Sequence, residues 1–124
     1  MKRFVSSLFG VFLATIILAP TANAGWNEGW DAFEKGNYAT TIKEWKPLAE
    51  QGDVKAQYNL GAVYENGKGV WQDYKKAHMF YNLAASNGDA IGGESRDKLA
   101  KKMTPQQISE AQNMAREWLA KHQN

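Results

Sequence analysis

The residues with the most chemical reach are two histidines, the three serines beyond residue 24, one lysine between glycines and three closely spaced carboxylates. An imidazole works as a metal ligand or acid–base group only beside a suitable partner. His78 and His122 are the only histidines, they are far apart in sequence, and there is no cysteine. The expectation is a helix-surface place for His78 and a frayed-end place for His122. Ser86, Ser95 and Ser109 lack the G-x-S-x-G or S-x-x-K surroundings that activate a serine. Gly67-Lys68-Gly69 is too short for a phosphate loop and follows a helical pattern rather than a strand, so it reads as a turn. Glu28, Asp31 and Glu34 share one helix face, but no loop supplies the further oxygens that calcium needs. The expectation is therefore no catalytic group, no metal and no cofactor.

Tryptophan is more suggestive. Trp26, Trp30, Trp45, Trp71 and Trp118 all lie beyond residue 24, and most of them are expected in the core. Trp71 differs because it falls in the turn Gly69-Val70-Trp71-Gln72, just before a helix start at Asp73. There it either covers a hairpin end or is open to a partner, and tryptophan at an interface often carries much of the binding energy.

The first 24 residues read as an export signal. Lys2 and Arg3 precede an apolar run, Phe4 to Ala19, interrupted by Ser6, Ser7, Gly10 and Thr15, and Pro20 ends it before Ala22-Asn23-Ala24. The run is shorter than the roughly 20 residues of a membrane span, and small residues occupy the two positions a signal peptidase reads. Cleavage after Ala24 would remove two basic residues, leaving 13 of 15 against 13 acidic ones. A chain with zero net charge has no long-range attraction for nucleic acid or an anionic membrane. With no cysteine to carry a lipid, the expected place is the periplasm or the medium, not a lipoprotein anchor.

The remaining 100 residues carry helical patterning throughout. Gly36-Asn37, Gly52-Asp53, Asn66-Gly67, Asn87-Gly88 and Gly92-Gly93 punctuate segments of ordinary helix length. Ala56, Leu60, Val63 and Tyr64 recur at helical spacing, as do Tyr74, Ala77, Tyr81 and Ala84. Thr104-Pro105-Gln106-Gln107 forms a capping-box start. No stretch alternates as a strand would, so the fold class is all-α.

The chain also repeats itself. A shift of 36 residues brings Asn37-Tyr38 onto Asp73-Tyr74, Trp45 onto Tyr81, Ala49 onto Ala85 and Gly52-Asp53 onto Gly88-Asp89. The fullest unit runs Ala56, Leu60-Gly61, Tyr64, Gly67-Lys68-Gly69-Val70, Asp73, Lys76-Ala77, Ala84-Ala85, Gly88 and Ala90. This pattern closely resembles the Sel1-like repeat family, α/α hairpins related to tetratricopeptide repeats. The resemblance implies a short α/α superhelix: a partial first repeat at 25–53, a full repeat at 54–90 and a divergent capping hairpin at 91–124. Repeat one lacks the G-x-G-V loop, and the last unit has lost the LG-x2-Y signature, as terminal units that cover an open apolar end do.

In related repeats the first helix of each pair lines a concave binding face. The resemblance puts Lys55, Tyr58, Ala62, Glu65 and Asn66 there, with Asn27, Asp31, Glu34 and Lys35 as their counterparts in repeat one. Their mixed charge suits a protein or peptide rather than nucleic acid or lipid. The functional expectation is a non-enzymatic scaffold or adaptor of the bacterial envelope that binds a protein or peptide, with weak self-association through the ends of the array allowed. The alternative is a periplasmic inhibitor or immunity protein on the same fold. A cell-wall-active enzyme is disfavoured by the lack of an activated nucleophile.

Overall fold

Side-chain oxygens open the helices. The computed structural model describes residues 24–122, so the export signal expected at 1–24 lies outside the described residues except for Ala24. Six helices follow in order: α1 (Ala24–Glu34), α2 (Tyr38–Glu50), α3 (Val54–Asn66), α4 (Tyr74–Ser86), α5 (Ala90–Ala100) and α6 (Pro105–His122). The described residues contain no strand, as the all-α expectation requires. Asp53 accepts from the Ala56 N–H at 3.0 Å, Asp73 from Lys76 at 3.0 Å and Asp89 from Ile91 at 3.1 Å. Each bond satisfies a donor that a helix start would otherwise leave orphaned. The capping box forms in both directions: Gln107 N–H donates to Thr104 Oγ1 at 3.1 Å, and Thr104 N–H to Gln107 Oε1 at 2.9 Å.

α1 and α2 form one antiparallel hairpin, α3 and α4 a second, and each closes around the same contact. A methyl group on Gly29 would lie 2.3 Å from the indole nitrogen of Trp45, and one on Gly61 would lie 2.6 Å from the ring of Tyr81. Each aromatic ring therefore occupies the space that a glycine leaves open on the facing helix. Trp45 and Tyr81 are both buried as a result. The loop between α3 and α4 is held against the first hairpin by Gly69, whose φ of +70° and closeness to Tyr38 Cβ (2.4 Å from an added methyl) both exclude a side chain.

The second hairpin continues from the first by one regular step. Gln57 Nε2 in α3 donates to the Ala49 carbonyl of α2 at 3.0 Å. Thirty-six residues on, Gly93 of α5 meets Ala85 of α4, with 3.7 Å to an added methyl. α5 thus sits on α4 as α3 sits on α2. For the first helices of the two hairpins the offset is 32, from Gly29 to Gly61, because repeat one lacks four loop residues. At that offset the buried Leu60 and Val63 of α3 correspond to Glu28 and Asp31 of α1, which are exposed. The acidic face of α1 is the side on which α3 meets a preceding helix.

The last unit departs from the expected hairpin. α6 packs on α4 rather than on α5. Lys75 pairs with Glu110 at 2.9 Å and Phe80 meets Trp118 edge-on at 5.3 Å, in the same order along both chains, so α6 runs parallel to α4. Its far half reaches the first hairpin, where Ala115 joins the core cluster of Trp45, Leu48 and Leu60. His122 lies 3.9 Å from Glu50. A strap over the second helices therefore replaces the closing hairpin.

A second difference concerns His78. It is not on the helix surface but only 3% exposed, with its Nδ1 unpartnered among the described residues. Burial and the nearby Arg96 guanidinium hold its pKa below the ordinary imidazole value, against a smaller opposing pull from Asp97.

Two predictions follow from this packing. Gly61→Ala should destabilise the protein by roughly 1–3 kcal/mol in denaturant unfolding. Combined with Tyr81→Ala, the double variant should lose at least about 0.5 kcal/mol less than the sum of the single losses; simple additivity would contradict the ring-against-glycine contact. For His78, the unfolded chain takes up the proton first, so its contribution to stability is intact above about pH 6.5 and declines as pH falls below that. Unfolding free energies between pH 7 and pH 5 (roughly spanning the imidazole range) should fall more steeply for the native chain than for His78→Gln. Parallel curves would contradict the buried neutral imidazole.

Candidate functional site

Aromatic rings dominate the face made by the first helices. On α1, Trp26 stacks on Trp45 at 4.9 Å between ring centres and on Trp30 at 6.3 Å, and Trp30 stacks on Phe33 at 5.7 Å. The Trp45 indole donates to the Trp26 carbonyl at 3.3 Å, which ties this stack to α2. Trp30 remains 41% exposed, a large ring left open to solvent on an otherwise ordered stack.

α3 continues the face with the residues expected from the sequence. Tyr58 is half-buried with its ring 5.6 Å from Tyr81, and Glu65 accepts a 2.6 Å hydrogen bond from the Tyr81 hydroxyl. Burial, followed by the bond to Glu65, raises the pKa of that hydroxyl well above the usual phenol range, so it stays a donor. Lys55 reaches across to α1, its ammonium 5.6 Å from the centre of the Trp26 ring, close enough for a cation–π contact. Asn66 is exposed and donates to the Ala62 carbonyl at 2.9 Å. Ala62 is half-buried in a dimple of about 70 Å³ that it shares with Phe33, Trp45, Val63 and Asn59. Lys55, Tyr58, Ala62 and Glu65 thus lie together beside the α1 stack.

The assignments in repeat one come out differently. Asn27, Asp31, Glu34 and Lys35 are all exposed. With Gly29 in register with Gly61, however, the counterparts of Tyr58, Ala62, Glu65 and Asn66 are Trp26, Trp30, Phe33 and Glu34. Glu34 keeps its place on the row. Asn27 answers to Asn59, and Asp31 to Val63 on the stacking side, so both were misplaced by one residue. The signal that finds Trp26 and Trp30 is the glycine facing an aromatic, which fixes register where the shortened loop breaks the count.

Trp71 stands apart from this face. It is 95% exposed on the loop between α3 and α4, so it does not cover the hairpin end. Its neighbour Gln72 turns back to donate to the Glu65 carbonyl at 2.8 Å, anchoring the loop beneath the ring. Among the described residues there is no group of three or more His, Cys, Asp or Glu placed to hold a metal, and no helix is long and apolar enough to cross a membrane.

Comparison with known proteins agrees with this geometry. Residues 54–89 match the Sel1 repeat family. The structure is similar to that of a protective antigen present in uropathogenic Escherichia coli strains that displays an SLR fold, with a TM-score of 0.72 and 29% sequence identity over 82% of this chain. This chain spans only 23% of that protein's length. A search of curated proteins finds no match. Residues 54–89 thus form a Sel1 repeat, set among hairpins repeated at a fixed step in an arrangement similar to the SLR fold.

Proposed function

We propose that this chain is a non-enzymatic scaffold of the bacterial envelope that binds a protein or peptide on the face formed by α1, α3 and α5. Sel1-like repeats serve as protein-interaction scaffolds, which gives the class of activity. The observation that carries the assignment to this face is Trp30, a 41% exposed indole held in register by its stack with Trp26 and Phe33. A ring fixed in place loses little entropy on binding and offers a large apolar area, as interface anchors do. Tyr58 and Ala62 extend that apolar area onto α3, while Lys55, Glu65 and Asn66 give it a polar rim. Trp71 provides a second, separate contact at the loop edge. Export to the periplasm or medium belongs to the same proposal and rests on the basic start, apolar run and Ala22-Asn23-Ala24 of the first 24 residues.

Affinity capture from envelope extracts tests the face. The intact protein should recover a partner that the Trp30→Ser, Tyr58→Ser variant loses, while Arg116→Glu on the exposed side of α6 recovers it normally. Equal recovery by all three, with matching circular dichroism melts, would place binding elsewhere. Export is checked separately by the intact mass of the protein purified from the envelope fraction. A chain starting at Gly25 is expected, and an uncleaved chain starting at Met1 would contradict the signal assignment.

A further inference from the structure

α5 has the weakest hold on the array. Gly92 and Leu99 are its buried residues, and Gly92-Gly93 sets two poor helix formers in its interior. Where α3 packs between α2 and α4, α5 packs chiefly on α4. His78, Asn82 and Ala85 form one stripe of α4 at helical spacing. Gly93 of α5 lies against Ala85, 3.7 Å from an added methyl, and Arg96 donates to Asn82 at 2.8 Å. One more step in that antiparallel order brings the last turn of α5 over His78, which is buried. The Arg96 guanidinium, also bonded to Asp97 at 3.0 Å, thus shares the seam with an imidazole whose Nδ1 has no partner among the described residues. Of the charges on the helices around α4, Arg96 and Asp97 act on His78. Lys75 is tied to Glu110 of α6 at 2.9 Å, and Glu65 of α3 accepts from the Tyr81 hydroxyl.

We propose that α5 is an acid-released cap: protonation of His78 detaches it from α4 while the two hairpins and α6 stay folded. A proton on His78 sets a second cation beside Arg96, in a seam where Nδ1 finds no acceptor. Asp97 offsets little of this, because it is already paired with Arg96 and its side chain is 70% exposed. With α5 detached, the imidazole is hydrated and takes up its proton in the ordinary range. Burial and Arg96 hold the closed form below that range, so opening binds a proton. Opening is therefore favoured as pH falls below about 6.5 and is not favoured above it. Release uncovers Ala84 and the backbone of Tyr81, on which Gly92 now packs at 2.9 and 3.1 Å from an added methyl. A loss of global stability in acid needs no such local step; the cap requires one helix to open below the whole fold.

Amide hydrogen exchange in sub-denaturing urea tests this on the protein itself, with rates corrected for the direct effect of pH on exchange. The amides of Ser95 to Leu99 in α5 should exchange through an opening nearly insensitive to urea. Those of Leu60 to Val63 in α3 should exchange through one that urea strongly promotes. From about pH 7 to about pH 5, across the imidazole range, protection of the α5 amides should fall at least about threefold. The lower pH stays above the ordinary carboxylate range, so imidazoles are the side chains that titrate. His122→Gln removes the other histidine and should keep the fall, whereas His78→Gln should abolish it. One urea dependence shared by α5 and α3 would make the opening global and overturn the cap. So would equal α5 protection at both pH values, or a fall that disappears in His122→Gln or persists in His78→Gln. If His78→Gln does not fold, the native chain and His122→Gln decide between these outcomes by themselves.

Discussion

In each hairpin one helix gives up its side chain so that the ring of the other can lie against bare backbone. Trp45 over Gly29 and Tyr81 over Gly61 bring the paired helices to a separation that no alanine would allow. The rest of the structure depends on this spacing. Close approach lets Trp45 donate to the Trp26 carbonyl and lets Tyr81 reach Glu65, so the buried polar ends of both rings are satisfied. It also brings the outer surfaces of α2 and α4 near enough to share one strap, α6, across their backs. On the other side it leaves the first helices in a row with their rings in register. Packing and the candidate binding face are two consequences of the same contact.

The ends of the array show how a repeat stops. A solenoid unit buries its apolar stripe against its neighbours, so a unit lacking one neighbour must change the residues that would face it. At α1 the change is one of residue type: Glu28 and Asp31 stand where α3 has Leu60 and Val63. At the far end it is one of path, because α6 leaves α5 and buries its apolar side on α4 and α2 instead. With no closing helix alongside, α5 carries the polar Arg96 in the position of Leu60, bonded to Asn82 of α4 at 2.8 Å.

Much of this was legible from residue types alone. The helix starts at Asp73 and Thr104, the turn at Gly67 to Gly69 and the pairing of Trp45 with Tyr81 under a 36-residue shift all follow from local chemistry and periodicity. What was not legible depended on longer-range packing. The path of α6 is set by which apolar surface α2 and α4 leave open, and its own pattern suits a closing hairpin equally well. His78 looked like a surface residue because its helix is amphipathic on average, yet it is buried, with Arg96 and Asp97 of α5 nearby. The one-residue error at Asn27 and Asp31 arose where the short loop between α1 and α2 changes the offset from 36 to 32. There the glycine facing the ring holds the register and the count does not.

The functional account rests on side chains that the fold orders without covering. Trp30 and Tyr58 lie on the first-helix face, whereas Trp118 packs on Phe80 behind it. Hydroxyl-radical footprinting of the protein, free and with a captured partner bound, compares these three rings in a single experiment. The account predicts that oxidation of Trp30 and Tyr58 drops on binding while Trp118 keeps its free-state reactivity. Protection of Trp118 with Trp30 and Tyr58 unchanged would put the partner on the α6 side and contradict it.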